Sequence, residues 1–210
     1  MADIIRLLFW ILIILAAVRA LGFVSKRLFM LRRLFSLRKE CNAKITLHTF
    51  PLLPPLRQRE KPDITVEIFD TVYYIRLYSG ISGARFVHFV DEEYSVVYSR
   101  VRAVIRPAKR VAKSYISAPS SAGGRVRILK KMKTQPSSKR EMKILLFSPA
   151  PSEVSYVTEE KTSIKLAFTG DTLYSYKIFT PSTFATYAER EYRNRRDREK
   201  ARRLNPFDFE

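Results

Sequence analysis

The chain has 210 residues, a formal net charge of +19, one cysteine (Cys41) and two histidines (His48 and His88). This length suits one domain with a real core rather than two domains. The cysteine count excludes an internal disulfide, and the few histidines and cysteine are too few for a His/Cys zinc site. We therefore expect no metal and no cofactor.

The segment Ile4–Val24 is almost entirely apolar, with an uninterrupted core from Leu7 to Val18 between Arg6 and Arg19. A helix of this length rises about 31 Å, close to the bilayer's hydrocarbon thickness of about 30 Å. A cleaved signal peptide and a helix lying in the interface are the alternatives. The first lacks a good cleavage site, and the second requires a polar face that this segment lacks. We favour a transmembrane anchor that spans residues 1–25.

Basic residues follow the anchor at once, before Glu40. Because loops rich in Lys and Arg stay in the cytoplasm, we expect a single-pass protein of the cell membrane with its N-terminus outside and its domain in the cytoplasm. These residues are the expected membrane-surface set: Lys26, Arg27, Arg32, Arg33, Arg38 and Lys39.

Residues 26–41 are predicted to form a basic juxtamembrane amphipathic helix. Within the stretch Phe23–Lys39, the apolar residues Val24, Leu28, Leu31 and Phe35 recur near helical spacing. Such a helix could lie along an anionic leaflet, where each basic residue contributes about 1 kcal/mol. Alternatively, it packs on the domain as an ordinary amphipathic helix.

Residues 42–180 change to an alternating pattern rich in aromatic and β-branched residues, which is typical of strands. Gly170-Asp171 lies between two such runs and predicts a two-residue hairpin turn. Since helical crossovers are absent from the pattern, we expect an antiparallel sheet domain, either a sandwich or an open barrel. The predicted strands are 44–50, 64–69, 72–78, 86–90, 94–105, 125–133, 143–147, 154–157, 163–169 and 172–179.

Residues 181–204 predict a charged C-terminal helix, followed by a tail over residues 205–210. Thr180 is a suitable cap and Pro181 suits the first turn. Phe184, Ala188 and Tyr192 repeat at four-residue spacing, so the first half should dock on the sheet. The second half is charged on all sides.

Residues 100–143 hold fourteen basic residues and one acid, and with residues 1–40 they account for the excess charge. Alternation of basic and apolar residues in a strand places the charges on one face. We expect an anion-binding surface here. Its candidate residues are Arg100, Arg102, Arg106, Lys109, Arg110, Lys113, Arg125, Arg127, Lys130, Lys131 and Lys133.

No catalytic signature is present, and His88 near Asp91–Glu93 is read as a surface residue, so we expect no enzymatic activity. The sequence favours a membrane-tethered interaction or scaffold protein that uses its basic surface on membrane lipid or on an acidic protein partner. One alternative is a membrane-tethered protein that binds nucleic acid. Another is an exported, surface-anchored domain that binds anionic wall polymers.

Overall fold

The computed structural model describes residues 2–48, 60–79, 86–90, 93–98, 125–129, 132–134, 138–151, 153–157 and 164–204. Within these residues, two helices enclose eleven strands in chain order. Helix α1 spans Ala2–Glu40 and helix α2 spans Pro181–Leu204. The strands are β1 (Lys44–Leu47), β2 (Ile64–Ile68), β3 (Thr71–Ser79), β4 (Phe86–Val90), β5 (Glu93–Tyr98), β6 (Arg125–Leu129), β7 (Arg140–Ser148), β8 (Glu153–Val157), β9 (Ile164–Ala167), β10 (Thr172–Leu173) and β11 (Tyr176–Phe179). The long apolar N-terminal helix, the β-rich middle and the C-terminal helix are confirmed.

The strands form a six-stranded sheet in the order β1-β2-β3-β7-β11-β10 and a five-stranded sheet in the order β6-β5-β4-β8-β9. Both sheets are mixed, because β3 with β7, β7 with β11 and β4 with β8 are parallel pairs. The prediction of an antiparallel sheet was wrong for these three pairs, whereas the other strand pairs that the structure describes are antiparallel. The choice between sandwich and barrel stays a prediction.

The parallel pairs follow from the way the chain moves between the sheets. After β3 the chain contributes β4, β5 and β6 to the five-stranded sheet, and it then returns as β7 beside β3. The register of that pair runs from Thr71 opposite Arg140 to Ser79 opposite Ser148. A parallel pair requires a long crossover connection, for which a helix is usual. Here the strands of the second sheet provide it, which is why a pattern without helices did not predict parallel pairing.

The inner strands of the six-stranded sheet are buried on both faces. Along β3, Tyr73 and Ile75 belong to a cluster formed with the two helices. Tyr74 and Tyr78 alternate with them and belong to a second cluster, which includes Phe89 and other residues of the five-stranded sheet. Strand β3 is consequently buried along all but its last residue. The six-stranded sheet, called the central sheet below, therefore contacts the helices through one face of β3 and residues of the five-stranded sheet through the other.

The second half of α1 packs on the central sheet through Met30, Leu34 and Leu37, which are at most 1% exposed. The predicted apolar face was right for Leu31, which is 8% exposed, and wrong for Leu28 and Phe35, which are exposed. A helix turns about 100° per residue, so the buried face through Met30, Leu34 and Leu37 is centred roughly a third of a turn from the predicted face, and Leu31 lies between the two centres. The alternative, in which this segment packs on the domain, is confirmed.

Helix α2 begins where the sequence indicates. The Thr180 hydroxyl accepts a hydrogen bond from the Thr183 amide at 3.3 Å, and the Thr183 hydroxyl accepts one from the Thr180 amide at 2.9 Å. This reciprocal cap satisfies two amides at the helix start. Phe184 and Ala188 are fully buried in the helix-side cluster. The first half of α2 therefore docks on the sheet, as expected.

Gly170-Asp171 forms a turn, but the two runs beside it do not pair as one hairpin. Strand β9 lies in the five-stranded sheet, whereas β10 pairs with β11 in the central sheet. Gly170 has a φ of +100°, and its turn is closed by a 3.1 Å hydrogen bond from the Asp171 amide to the Phe168 carbonyl. The hairpin prediction was wrong because this turn carries the chain from one sheet to the other.

The two ends of the central sheet are distinct. We call the carboxyl ends of β3 and β7, at Ser79 and Ser148, the carboxyl rim. The opposite end, with the β2–β3 turn Phe69-Asp70, is the amino rim. Helix α1 reaches the carboxyl rim at Arg27, which bonds to Ser79. Helix α2 reaches the amino rim at Tyr192, whose ring stacks on Phe69 with centroids 5.0 Å apart.

Candidate functional site

The first half of α1 leaves its apolar side chains uncovered. Within the described residues, α1 is the one helix long and apolar enough to cross a membrane, and none of its apolar stretch is buried. This finding rests on length and composition. The exposed large side chains include Trp10, Leu12 and Leu21, each at least 61% exposed. Such a continuous apolar surface exceeds what a water-facing helix usually presents.

The basic residues after this stretch do not share one environment. Arg32, Arg33, Arg38 and Lys39 are exposed, and Lys26 is half-buried. Arg27 differs from all of them, because it is only 4% exposed. Five of the six expected membrane-surface residues therefore retain contact with solvent, whereas Arg27 lies in the interior.

Arg27 joins the helix to the carboxyl rim through a polar clamp. Its Nε donates a 2.6 Å hydrogen bond to Ser79 Oγ, and its Nη2 donates a 3.0 Å bond to the Leu77 carbonyl. The guanidinium carbon lies 5.2 Å from the centroid of the Phe23 ring, one turn earlier in α1. A buried cation is costly unless it is hydrogen-bonded in this way. The clamp fixes the rotation and the axial position of α1 relative to β3.

Sequence reasoning missed this role for Arg27, although the pattern holds a signal for it. Arg27, Met30, Leu34, Leu37 and Cys41 recur at three- and four-residue spacing, and all five are buried. An arginine at the end of such a periodic face is easily interpreted as part of a neighbouring, solvent-exposed face. Burial of the Arg27 side chain at the carboxyl rim was therefore not predicted.

The basic residues of α1 are spread along its axis. The helix is unbroken, and each residue rises about 1.5 Å, so Arg32 lies about 12 Å and Lys39 about 22 Å beyond Val24. The attraction of an anionic surface fades within a Debye length of about 8–10 Å in physiological salt. Because the helix packs on the domain instead of bending away, its last turn faces the amino rim.

The second basic cluster falls mostly outside the described residues, which exclude Arg100, Arg102, Arg106, Lys109, Arg110, Lys113, Lys130 and Lys131. Arg125 and Arg127 are brought together on the edge strand β6, where the register sets them opposite Tyr98 and Val96. Lys133 is exposed and forms an ion pair with Glu60. Of this expected surface, the structure therefore describes the strand positions of Arg125 and Arg127 and the ion pair of Lys133.

A further basic surface lies on the second half of α2. Residues 193–204 contain seven basic and two acidic residues. Arg195 pairs with Asp70 at the amino rim, and beyond it the described side chains are exposed. The remaining nine residues extend the helix by about 14 Å past this contact. The charged half of α2 therefore projects from the amino rim.

A cleft separates the last turn of α1 from α2. It is lined by Glu40, Cys41, Glu189, Tyr192, Arg193 and Arg196 and has a volume of about 350 Å³. A hydrogen bond to the Glu40 carboxyl raises the pKa of Glu189, and burial and the Glu40 charge act in the same direction. Two carboxyl groups bond to each other only through a proton. The Glu40 carboxyl and partial burial in this cleft therefore favour the protonated form of Glu189.

We expect Glu189→Gln to stabilise the protein by a few tenths of a kcal/mol to about 1 kcal/mol at pH 8, because the amide donates to Glu40 without a charge. The raised pKa of Glu189 means that the wild type loses stability as the pH rises above the ordinary glutamate range, so the difference should vanish near pH 4. Denaturant unfolding at both pH values measures it. Glu199→Gln, on the exposed half of α2, is the control, and an equal gain there would contradict the interaction of Glu189 with Glu40.

Cys41 closes the bottom of this cleft and is 1% exposed. Burial, with the Glu189 and Glu40 charges, raises its pKa from 9.0 to about 11. At neutral pH its thiolate fraction is then about a hundredfold lower than in the unfolded chain. We expect maleimide to label it in denaturant but not in the folded protein. Rapid labelling of the folded protein would contradict this burial.

The same shift has a consequence for stability. The unfolded thiol loses its proton near pH 9, whereas the folded thiol keeps it to about pH 11. The Cys41 contribution to the free energy of unfolding therefore falls as the pH rises through that window.

In the part of the chain that the structure describes, no three His, Cys, Asp or Glu residues lie close enough together to hold a metal ion. His48 Nε2 lies 2.6 Å from Thr65 Oγ1, which is a hydrogen-bond distance.

Comparison with known proteins returned no matching family model, no matching curated protein and no matching solved structure.

Proposed function

We propose that this protein is a single-pass, membrane-tethered interaction module that presents basic surfaces of a cytoplasmic domain to an acidic protein partner. One observation supports this most: a single unbroken helix carries both an uncovered apolar stretch and the face that completes the domain core. The anchor and the domain are therefore parts of one structure. The apolar stretch requires a cover, and a bilayer matches its length.

The orientation rests on the charge next to the anchor. Lys and Arg near the end of a membrane segment favour the cytoplasmic side. The basic residues of α1 after Val24 all belong to the part of the helix that joins the domain. The N-terminus is then outside, and the domain is in the cytoplasm of the cell membrane.

Two basic surfaces lie at the amino rim: the last turn of α1 and the charged half of α2. Their distance from the bilayer favours a protein partner over lipid. Lys39 lies about 22 Å along the axis beyond Val24, and the charged half of α2 extends from the same rim. Neither surface lies within a Debye length of the headgroups when the helix stands in the membrane. An acidic protein partner in the cytoplasm supplies the complementary charge.

Sidedness is tested with a single engineered cysteine, Ser182→Cys, at an exposed position of α2. Native Cys41 is buried and serves as the silent background. An impermeant maleimide should label inside-out vesicles and leave right-side-out vesicles unlabelled. The reverse result would contradict the cytoplasmic domain and favour the exported alternative.

Binding is tested with full-length protein in nanodiscs and a fluorescent poly-glutamate peptide. The triple charge reversal Arg196→Glu, Arg198→Glu and Arg203→Glu should weaken binding about tenfold or more. The control reverses Lys44, Lys61 and Lys165, which are exposed elsewhere, and keeps the same net charge. Equal losses in both variants would contradict a localised surface. Tighter, steeply salt-dependent binding of single-stranded RNA would favour the nucleic-acid alternative.

A further inference from the structure

We propose that the carboxyl rim of the domain is seated in the phospholipid headgroup layer, held there by the Arg27 clamp. This inference rests on the proposed membrane anchor. It assigns a lipid-facing surface to the domain itself, at the rim that Arg27 of the expected membrane-surface set contacts.

The anchor and the Arg27 clamp are only a short distance apart along α1. The apolar segment ends at Val24, and Arg27 follows after three residues, a rise of about 4.5 Å. Each headgroup layer is about 5–8 Å thick beyond the hydrocarbon. Arg27 is therefore inside that layer when Ile4–Val24 fills the hydrocarbon.

The connection between the anchor and the domain is rigid. Arg27 is 4% exposed and bonds to Ser79 Oγ and to the Leu77 carbonyl, both at the end of β3. Met30 and Leu34 follow on the same face and are buried against the central sheet. Between the anchor and the domain there is no linker, so the depth of Arg27 sets the depth of the rim.

The described residues of the carboxyl rim are compatible with this position. Ser148 is the register partner of Ser79, and Pro149 and Ala150 follow it with exposed side chains. Lys26 lies beside Arg27 in α1 and is half-buried. In the described part of the rim, hydroxyl groups, small residues and the Lys26 ammonium group are compatible with contact to phosphate and glycerol oxygens. Charge is not the main cause of this contact; the geometry of α1 imposes it.

The opposite rim provides an internal control. Ser138 is exposed just before β7, whereas Ala150 is exposed just after it. The nine residues of β7 separate the two positions by about 26 Å or more. The two positions therefore differ strongly in depth if the carboxyl rim faces the bilayer.

The experiment uses full-length protein in nanodiscs with bimane attached at Ala150→Cys or Ser138→Cys. Cys41 is buried, and labelled wild type measures its background. Lipids with a headgroup spin label should quench bimane at position 150 about fivefold or more over position 138, given their separation and the thickness of the layer. Equal quenching, or stronger quenching at position 138, would overturn the proposal.

The clamp is tested in the Ala150→Cys protein by adding Arg27→Met, which keeps the stem and removes the donors. Quenching at position 150 should fall toward that at position 138, and unchanged quenching would overturn the role of Arg27. Ser79→Ala removes one acceptor only and should cause a smaller decrease, which keeps the test valid if Arg27→Met misfolds. If the protein fails to co-float with lipid at all, the membrane anchor itself is wrong, which is a distinct outcome.

Discussion

A fragment that starts at residue 42 should not fold, whereas a fragment that starts at residue 25 should. Cutting at residue 42 removes Met30, Leu31, Leu34 and Leu37, which are at most 8% exposed against the central sheet. Each contributes roughly 1.5–3 kcal/mol of burial, so their sum rivals the total stability of about 5–15 kcal/mol expected for a domain. The loss also uncovers one face of β3.

The measurement is circular dichroism and denaturant unfolding of the two fragments, residues 25–210 and 42–210. The longer fragment should unfold cooperatively, and the shorter one should aggregate or lack a transition. Within the longer fragment, Leu34→Asp should reproduce the loss, because it places a charge in the core. Leu28→Asp is the matched control at an exposed position of the same helix. A folded 42–210 fragment would contradict the role of α1 in the core.

Phe184→Ala should destabilise the protein by about 3–5 kcal/mol and release the first half of α2. Phe184 is 0% exposed, and its ring meets Tyr73 and Phe179 at centroid distances of 5.5 and 5.8 Å. Removing the ring leaves a cavity between α2 and the central sheet, which neighbouring side chains fill only in part.

Two readouts measure this effect. Denaturant unfolding of the full-length protein in micelles gives the free energy, and trypsin cleavage at Arg190 reports release of α2. Phe168→Ala is the control, since Phe168 is 74% exposed and its removal should change stability by less than about 0.5 kcal/mol. Similar losses in both variants would contradict the docking of α2 through Phe184.

Local sequence signals predicted the individual helices and strands better than they predicted which elements pack or pair with each other. The Thr180 cap and the four-residue spacing after it indicate a helix that docks by its first half, and the structure has that helix. The alternation in residues 72–78 indicates a strand, which is the core of β3. These signals depend on neighbours within one turn or one strand, so a single sequence contains them.

Contacts between residues far apart in the sequence were not predictable in the same way. The parallel pair of β3 and β7 joins residues about seventy positions apart, and nothing in either strand specifies that partner. The Phe69-Asp70 turn lacks the glycine or asparagine usual in such hairpins, and Phe69 has a φ of +51°. Its ring stacks on Tyr192, and Asp70 pairs with Arg195, so helix α2 stabilises a turn that local preferences disfavour.

The candidate site was predictable in outline only. The apolar stretch and the exposed basic residues of α1 were identified from composition, but the burial of Arg27 depends on where β3 ends. Most of the expected anion-binding residues between 100 and 133 lie outside the described residues, so that surface stays a prediction. The charged half of α2 was recognised as a helix, and its position at the amino rim required the fold.

Every proposal above depends on the apolar half of α1 residing within lipid, and alkaline carbonate extraction of the full-length protein from cell membranes tests this most directly. Carbonate removes peripheral proteins and leaves helices that span the bilayer. The account predicts that the protein stays in the membrane pellet, and that replacing Leu12 and Ile13 with arginine moves it to the supernatant. Recovery of the unmodified protein in the supernatant would contradict the account.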